Sequence, residues 1–171
     1  MLLAPGLAAL ATGQLLLFPS LAPTAVLQAH APAHPSARYY NIIVSHVVGM
    51  AAAFFAVWLF GVADAPSVFA AHAVSAGRVG AAVLAVALGT YLEMRLHAHH
   101  APAAATTMLV ALGSFPATLH SALMIVVGVL VVAAAGEAGR RLHLELAEPD
   151  EAAREVASES PGESQRAATP P

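Results

Sequence analysis

The chain has 171 residues, 58% of them hydrophobic and only 10% charged, where an ordinary soluble domain carries roughly 25% charged residues; this is the composition of a membrane protein. The formal net charge of -3 belongs to the C-terminus: seven of the ten acidic residues lie in the last 27 positions, and residues 1–144 hold five arginines against three acids, a net of +2. Neither charge nor patterning resembles a nucleic-acid footprint. The absence of cysteine removes disulfides, thiolate metal sites and cysteine nucleophiles together.

A helix rising 1.5 Å per residue needs roughly 20 apolar residues to cross about 30 Å of hydrocarbon, and run length alone finds the spans. The N-terminal stretch from Leu2 to Ala29 is apolar but broken by Pro5, Gly13, Pro19 and Pro23, so it does not predict one straight helix. It also lacks the basic n-region of a signal peptide. Residues 41–61, "NIIVSHVVGMAAAFFAVWLFG", form a span whose one ionisable residue is His46. Residues 75–96 are apolar in the middle and carry Arg78 and Arg95 near the ends, where long cationic side chains snorkel to the interfaces. Residues 117–138 form the third long span, interrupted only by His120 and Glu137. From residue 145 the chain turns rich in Glu, Ser, Pro and Ala without an apolar face, which predicts a solvated, disordered acidic tail over 145–171.

The prolines follow an internal repeat. A shift of 79 positions lays Ala22, Pro23 and Ala25 on Ala101, Pro102 and Ala104, and Val47, Val48 and Gly49 on Val126, Val127 and Gly128. Proline suits the first turn of a helix, where a missing N–H costs nothing, so Pro23 and Pro102 each predict a half-helix, over about 23–28 and 102–112. The expected fold is therefore all-α and polytopic: a transmembrane domain over 1–144, with repeats of about 1–61 and 75–138. If neither half-helix crosses, each repeat has two full crossings, which makes the repeats parallel and relates them by an axis along the membrane normal.

Three blocks resemble the HPP family of four-span integral membrane proteins, named after a His-Pro-Pro motif. "TGQLLLFPSLAPTA" (12–25) is similar to its Phe-Pro-Ser-Leu-Gly-Pro-Thr-Ala segment, "NIIVSHVVG" (41–49) to its Asn-then-Gly-His segment, and "HAPAAATTMLVALG" (100–113) to its His-Pro-Pro-Ala-x-Ala-Thr-Thr signature. The chain departs at Ala101 for the first signature proline, at Ala22 and Ser45 for glycines, and in its arginines, of which Arg38 and Arg95 stand nearest the family positions. The family's first span would precede Thr12, where eleven residues remain; the expectation is a short or truncated first helix. The resemblance implies transport, because plant and cyanobacterial members are associated with nitrite.

Two half-helix N-termini facing a midplane would attract a small anion, since each presents free backbone donors and about half a positive charge. The expected substrate-binding set is Ser20, Pro23, Thr24, His46, His100, Pro102, Thr106 and Thr107, with His100 able to take up a proton near pH ~6.5. His97 and His99 are expected at the interface. The function this predicts is a cell-membrane transporter or channel for a small inorganic anion. It has no enzymatic role, no cofactor and no metal; its partners are the lipid bilayer and the anion, not nucleic acid, and a homo-oligomer is compatible with it. Two rivals stand beside it: a non-transporting membrane scaffold or assembly subunit, and a metalloenzyme liganded by histidines such as His30, His34, His97, His99 and His100. With the central loop and both termini on one side, Arg78, Arg140 and Arg141 outnumber Arg38 and Arg95, so the positive-inside rule predicts cytoplasmic termini.

Overall fold

In a computed structural model, residues 2–159 are described, with side chains as far as Leu142. Among the described residues the chain is helical without strands: α1 (Leu3–Thr12), α2 (Leu21–His30), a 3₁₀ turn (Pro35–Ala37), α3 (Tyr39–Leu59), α4 (Val68–Ala71), α5 (Ala76–Arg95), α6 (Ala103–Ala111) and α7 (Leu119–Glu159). Three helices are long and apolar enough to cross a membrane: Tyr39–Leu59, Ala76–Arg95 and the Leu119–Leu142 part of α7. They match the three runs expected from the sequence. The first helix is short, as expected, at 10 residues. α7 is drawn as far as Glu159, into the stretch from 145 where the composition predicts a disordered tail. A long span is an existing nucleus, and propagating it through good helix formers such as Ala, Glu and Arg needs no apolar face. Residues 160–171 lie outside the described residues.

Small residues set the helix packing. α3 buries Ser45, Gly49, Ala52, Ala53 and Ala56 along one stripe, and α5 buries Ala81, Ala82, Ala85 and Gly89. A Cβ added at Gly89 would lie 3.5 Å from Gly49 Cα, so the two backbones nearly touch. Lipid tails are as apolar as leucine, so close backbone approach and van der Waals packing, rather than hydrophobicity, hold such helices together. The outward faces confirm the solvent: Leu10 is 83% exposed and Trp58 72%.

Contacts along the bundle define two ends. Tyr40 meets Leu96, and Arg38, Tyr39 and Tyr40 share a cavity with Glu137, Arg140 and Arg141; this is the arginine-rich end. At the other, Phe60 and Val62 meet Gly80 and Gly77, and Arg78, Gly113 and Ala117 line one cavity. α5 therefore finishes at the arginine-rich end while α7 starts at the Arg78 end. Residues 96–118 lead from one to the other. The first half does the same in reverse: Gln14 bonds His120 at the start of α7, Leu16 and Leu21 pack at Gly128, Gln28 at Gly136, and Pro32 and Ala33 reach the arginine-rich end.

This path corrects the expected topology. Each short helix, α2 and α6, is one part of a broken crossing rather than a re-entrant excursion, so the second half holds three passes and the first half two beside the short α1. Under the 79-residue shift, α2 runs toward the arginine-rich end where α6 runs away from it, and α3 and α7 are likewise opposed. These opposed directions fit an axis in the membrane plane rather than the expected axis along the membrane normal. Run length missed this because α2 and α6, of 10 and 9 residues, cover only about 15 Å each, and the irregular chain flanking them supplies the remaining depth. The central loop also lies at the opposite end from Arg140 and Arg141, against the expected side-sharing.

Candidate functional site

The two broken crossings pass each other with their first turns side by side. Ser20 Oγ, just before α2, lies 2.7 Å from Thr106 Oγ1 on α6, and one turn further along α2 Thr24 Oγ1 lies 2.9 Å from His100 Nε2. Ser20, Thr24, His46, His100, Thr106 and Thr107 are all at most 2% exposed. A polar cluster is thus sealed inside an apolar bundle, where each group left without a partner costs several kcal/mol on the order of a transfer to hydrocarbon.

Hydrogen bonding fixes the imidazole tautomers. His100 Nδ1 faces the Ser36 carbonyl at 2.7 Å, so Nδ1–H donates and Nε2 accepts from the Thr24 hydroxyl. His46 Nδ1 donates in the same way to the Ile42 carbonyl one turn back, at 2.8 Å. Its Nε2 is then a bare lone pair, buried with no partner. The two rings stand 5.2 Å apart, tilted by 42°.

The irregular segment that delivers His100 is anchored to α3. Ser45 Oγ donates to Ala98 O at 2.6 Å, Tyr40 OH to Leu96 O at 3.2 Å, and Asn41 Nδ2 to Pro35 O at 2.8 Å in the neighbouring turn. The Tyr40 and Ser45 hydroxyls satisfy the Leu96 and Ala98 carbonyls outside the helices, while Asn41 adds a second bond to a Pro35 carbonyl that already accepts from Arg38 N–H; such partners are the condition for irregular backbone at membrane depth.

The structure brings Ser20, Thr24, His46, His100 and Thr106 together and leaves three expected residues outside that network. Thr107 turns back to the Ala103 carbonyl at 3.1 Å, a local bond common for threonine in membrane helices, and its hydroxyl fills the space beside Gly49. Pro23 is exposed on the outer side of α2, and Pro102 is half-buried at the start of α6. The expected anion cradle of free helix donors is not there. Pro23 and Pro102 have no N–H; Leu21 and Ala22 donate to Phe18 and Pro19, and Ala103, Ala104 and Ala105 donate to His100, Ala101 and Pro102. Tight turns ahead of each helix take up the amides, leaving the helix dipoles as the only contribution of the termini.

His97 and His99 are exposed while His100 is fully buried. Among the described residues no three of His, Cys, Asp and Glu are grouped to hold a metal. Among the described residues, five buried polar residues lie outside the expected site: Gln28, Asn41, Ser45, Arg78 and Ser121. Ser45 was visible one turn from Asn41 and Gly49 on the same helical face. Gln28 packs against Gly136 and donates to Ala133 O at 3.4 Å. Arg78 does not snorkel but is 3% exposed.

No curated protein and no solved structure matches the chain. The description "HPP, transmembrane region" matches residues 1–143, which takes in α1 to α6, the long apolar part of α7 and every residue of the cluster. The chain is an integral membrane protein that belongs to the HPP family.

Proposed function

We propose that the protein carries a small inorganic anion across the membrane at the cluster where the two broken crossings overlap, nitrite being the substrate that the family likeness suggests. The observation that carries this reading is His100. It is fully buried, bonded to both a loop carbonyl and Thr24, and neighboured by the unpartnered Nε2 of His46. Ionisable residues inside a membrane domain mark substrate or proton paths by default. A proton taken up at this pair creates a positive charge in a low-dielectric interior, where it attracts an anion far more strongly than in water. Loss of the proton releases both. The hydroxyls of Ser20, Thr24 and Thr106 can turn to donate to the anion or to each other. The helix dipoles add a favourable field, but no free backbone donors. The reading assigns no enzymatic step.

The path supports one orientation. Arg38, Arg95, Arg140 and Arg141 flank one end and Arg78 alone the other, so the positive-inside bias places the arginine-rich end, with the exit of α7, in the cytoplasm. The cell membrane is the proposed location.

Nitrite, nitrate and chloride flux into proteoliposomes, compared between the wild type and His100→Ala, tests the reading; flux that is lost or loses its pH dependence in the variant supports it. The scaffold alternative draws on one observation, the closure of the cluster, whose polar atoms are satisfied apart from His46 Nε2. Folded protein without flux for any of the three anions would favour that alternative.

A further inference from the structure

The geometry points to a second anion site, separate from the His100 cluster: the cavity at the Arg78 end of the bundle binds a small monovalent inorganic anion against the Arg78 guanidinium. The cavity has a volume of about 290 Å³, and Asp64, Ser67, Arg78, Gly113 and Phe115 are among its lining residues. Arginine stays charged in proteins and has five N–H donors. Two bonds are made here, from Nη1 to Ala111 O at 3.1 Å and from Nη2 to Ala65 O. Nε–H is buried without a partner.

Those two carbonyls hold the guanidinium in place without neutralising it. Ala111 O belongs to the last turn of α6, so the dipole of that helix offsets part of the charge. Among the described residues the ion pairs are both made by Glu137, at the far end of the bundle, and Asp64 is not within ion-pair distance of Arg78. A charge 3% exposed with no counter-ion is costly in a protein interior. A space beside it large enough for an anion offers the means to complete it.

Gly113 fixes the position. Its φ of +85° is left-handed, and a Cβ there would lie 2.6 Å from Arg78 Nη2 and 2.8 Å from Cζ. Only glycine lets the backbone turn flat against the guanidinium while leaving the cavity side open. Asp64 lines the same cavity and is exposed. It opposes an anion by charge and sets the class of ligand: a compact monovalent ion is repelled least, and a multivalent one such as phosphate most.

The site is tested by ³⁵Cl NMR line broadening in a chloride titration of the purified protein in dodecyl maltoside, a detergent without phosphate, with nitrite added as competitor. The wild type should broaden the line and nitrite should reverse it. In a His100→Gln background, which removes the contribution of the cluster, Arg78→Gln should remove at least nine-tenths of the remaining excess width, and Asp64→Asn should lower the half-saturating chloride concentration at least threefold. If Arg78→Gln does not fold, Asp64→Asn decides: a gain supports the site and an unchanged titration overturns it. A folded wild type without broadening overturns it as well. Broadening that depends on His100 but not on Arg78 would overturn this site while supporting the cluster between the crossings.

Discussion

Thr24→Val tests whether the Thr24–His100 bond holds the two crossings together. The replacement keeps the β-branched shape and exchanges a hydroxyl for a methyl, so packing is nearly unchanged while His100 Nε2, in a residue with 0% exposure, loses its donor. The other bond of Thr24, to Ser20 O at 3.5 Å, is at the geometric limit and adds little. An unsatisfied buried acceptor costs about 1–3 kcal/mol, and side-chain bonds in membrane proteins average about 0.6 with a maximum near 1.7 kcal/mol. The two ranges overlap at about 1–1.7 kcal/mol, or roughly a five- to twentyfold shift in the folding equilibrium. Unfolding by a rising mole fraction of SDS in mixed micelles, followed by far-ultraviolet circular dichroism, should show this loss. Thr24→Ser, which keeps the hydroxyl, should lose less. A valine variant with the wild-type midpoint, or a serine variant less stable than the valine one, would refute the tautomer assignment and the bond built on it.

Topology is directly accessible because the chain has no cysteine: cysteines at exposed Ala70, His97 and Arg141 should react with an impermeant maleimide from opposite sides, Ala70 alone on one and the other two together on the other. Labelling of Ala70→Cys and Arg141→Cys from the same side would restore the parallel repeat. Gly49→Ala should destabilise by about 1–3 kcal/mol through overpacking, because its Cβ collides with Thr107 Oγ1; Thr107→Ala should recover most of the loss, and additive losses would sink the packing account. Anion flux should rise as pH falls, because a proton on the buried imidazole pair creates the charge that holds the anion. His100→Ala should flatten that rise, while His97→Ala and His99→Ala, whose rings are exposed, should keep it.

Long spans are legible because one number, the bilayer thickness, decides them, and the runs 41–61, 75–96 and 117–138 each meet it. Half-helices are legible through their prolines, but what a half-helix does is not. Whether the chain around Pro102 returns or passes through depends on which end of the bundle receives Ala117, and no local signal carries that. The direction of each shifted element depends on this one fact, which a list of elements does not carry. His100 was legible from its motif and His46 from its position in a span. Their pairing depends on a contact between α3 and a loop more than fifty residues away. Arg78 was misjudged for a related reason: an arginine near a helix end normally snorkels, and only the carbonyls of Ala65 and Ala111 make burial affordable.

The closed cluster sets what transport would require. α2 packs on α7 and α6 packs on α3 and α5, while α3 also packs on α7, so the overlap lies along a seam that α3 closes on one side. Across it the side-chain bonds are Ser20 to Thr106 and Thr24 to His100. A net hydrogen bond contributes roughly 0.5–1.5 kcal/mol, so parting both costs about 1–3 kcal/mol in these bonds, to which the packing of α3 on α7 adds. An anion that binds between the separated hydroxyls replaces the lost bonds, and a proton on either imidazole turns an acceptor into a donor toward it. Opening toward one end or the other then differs only in which turn of α2 and α6 parts first. Where α2 and α6 run in opposite directions these turns are counterparts, so the two openings are alike in the elements that part, as in transporters built from inverted repeats.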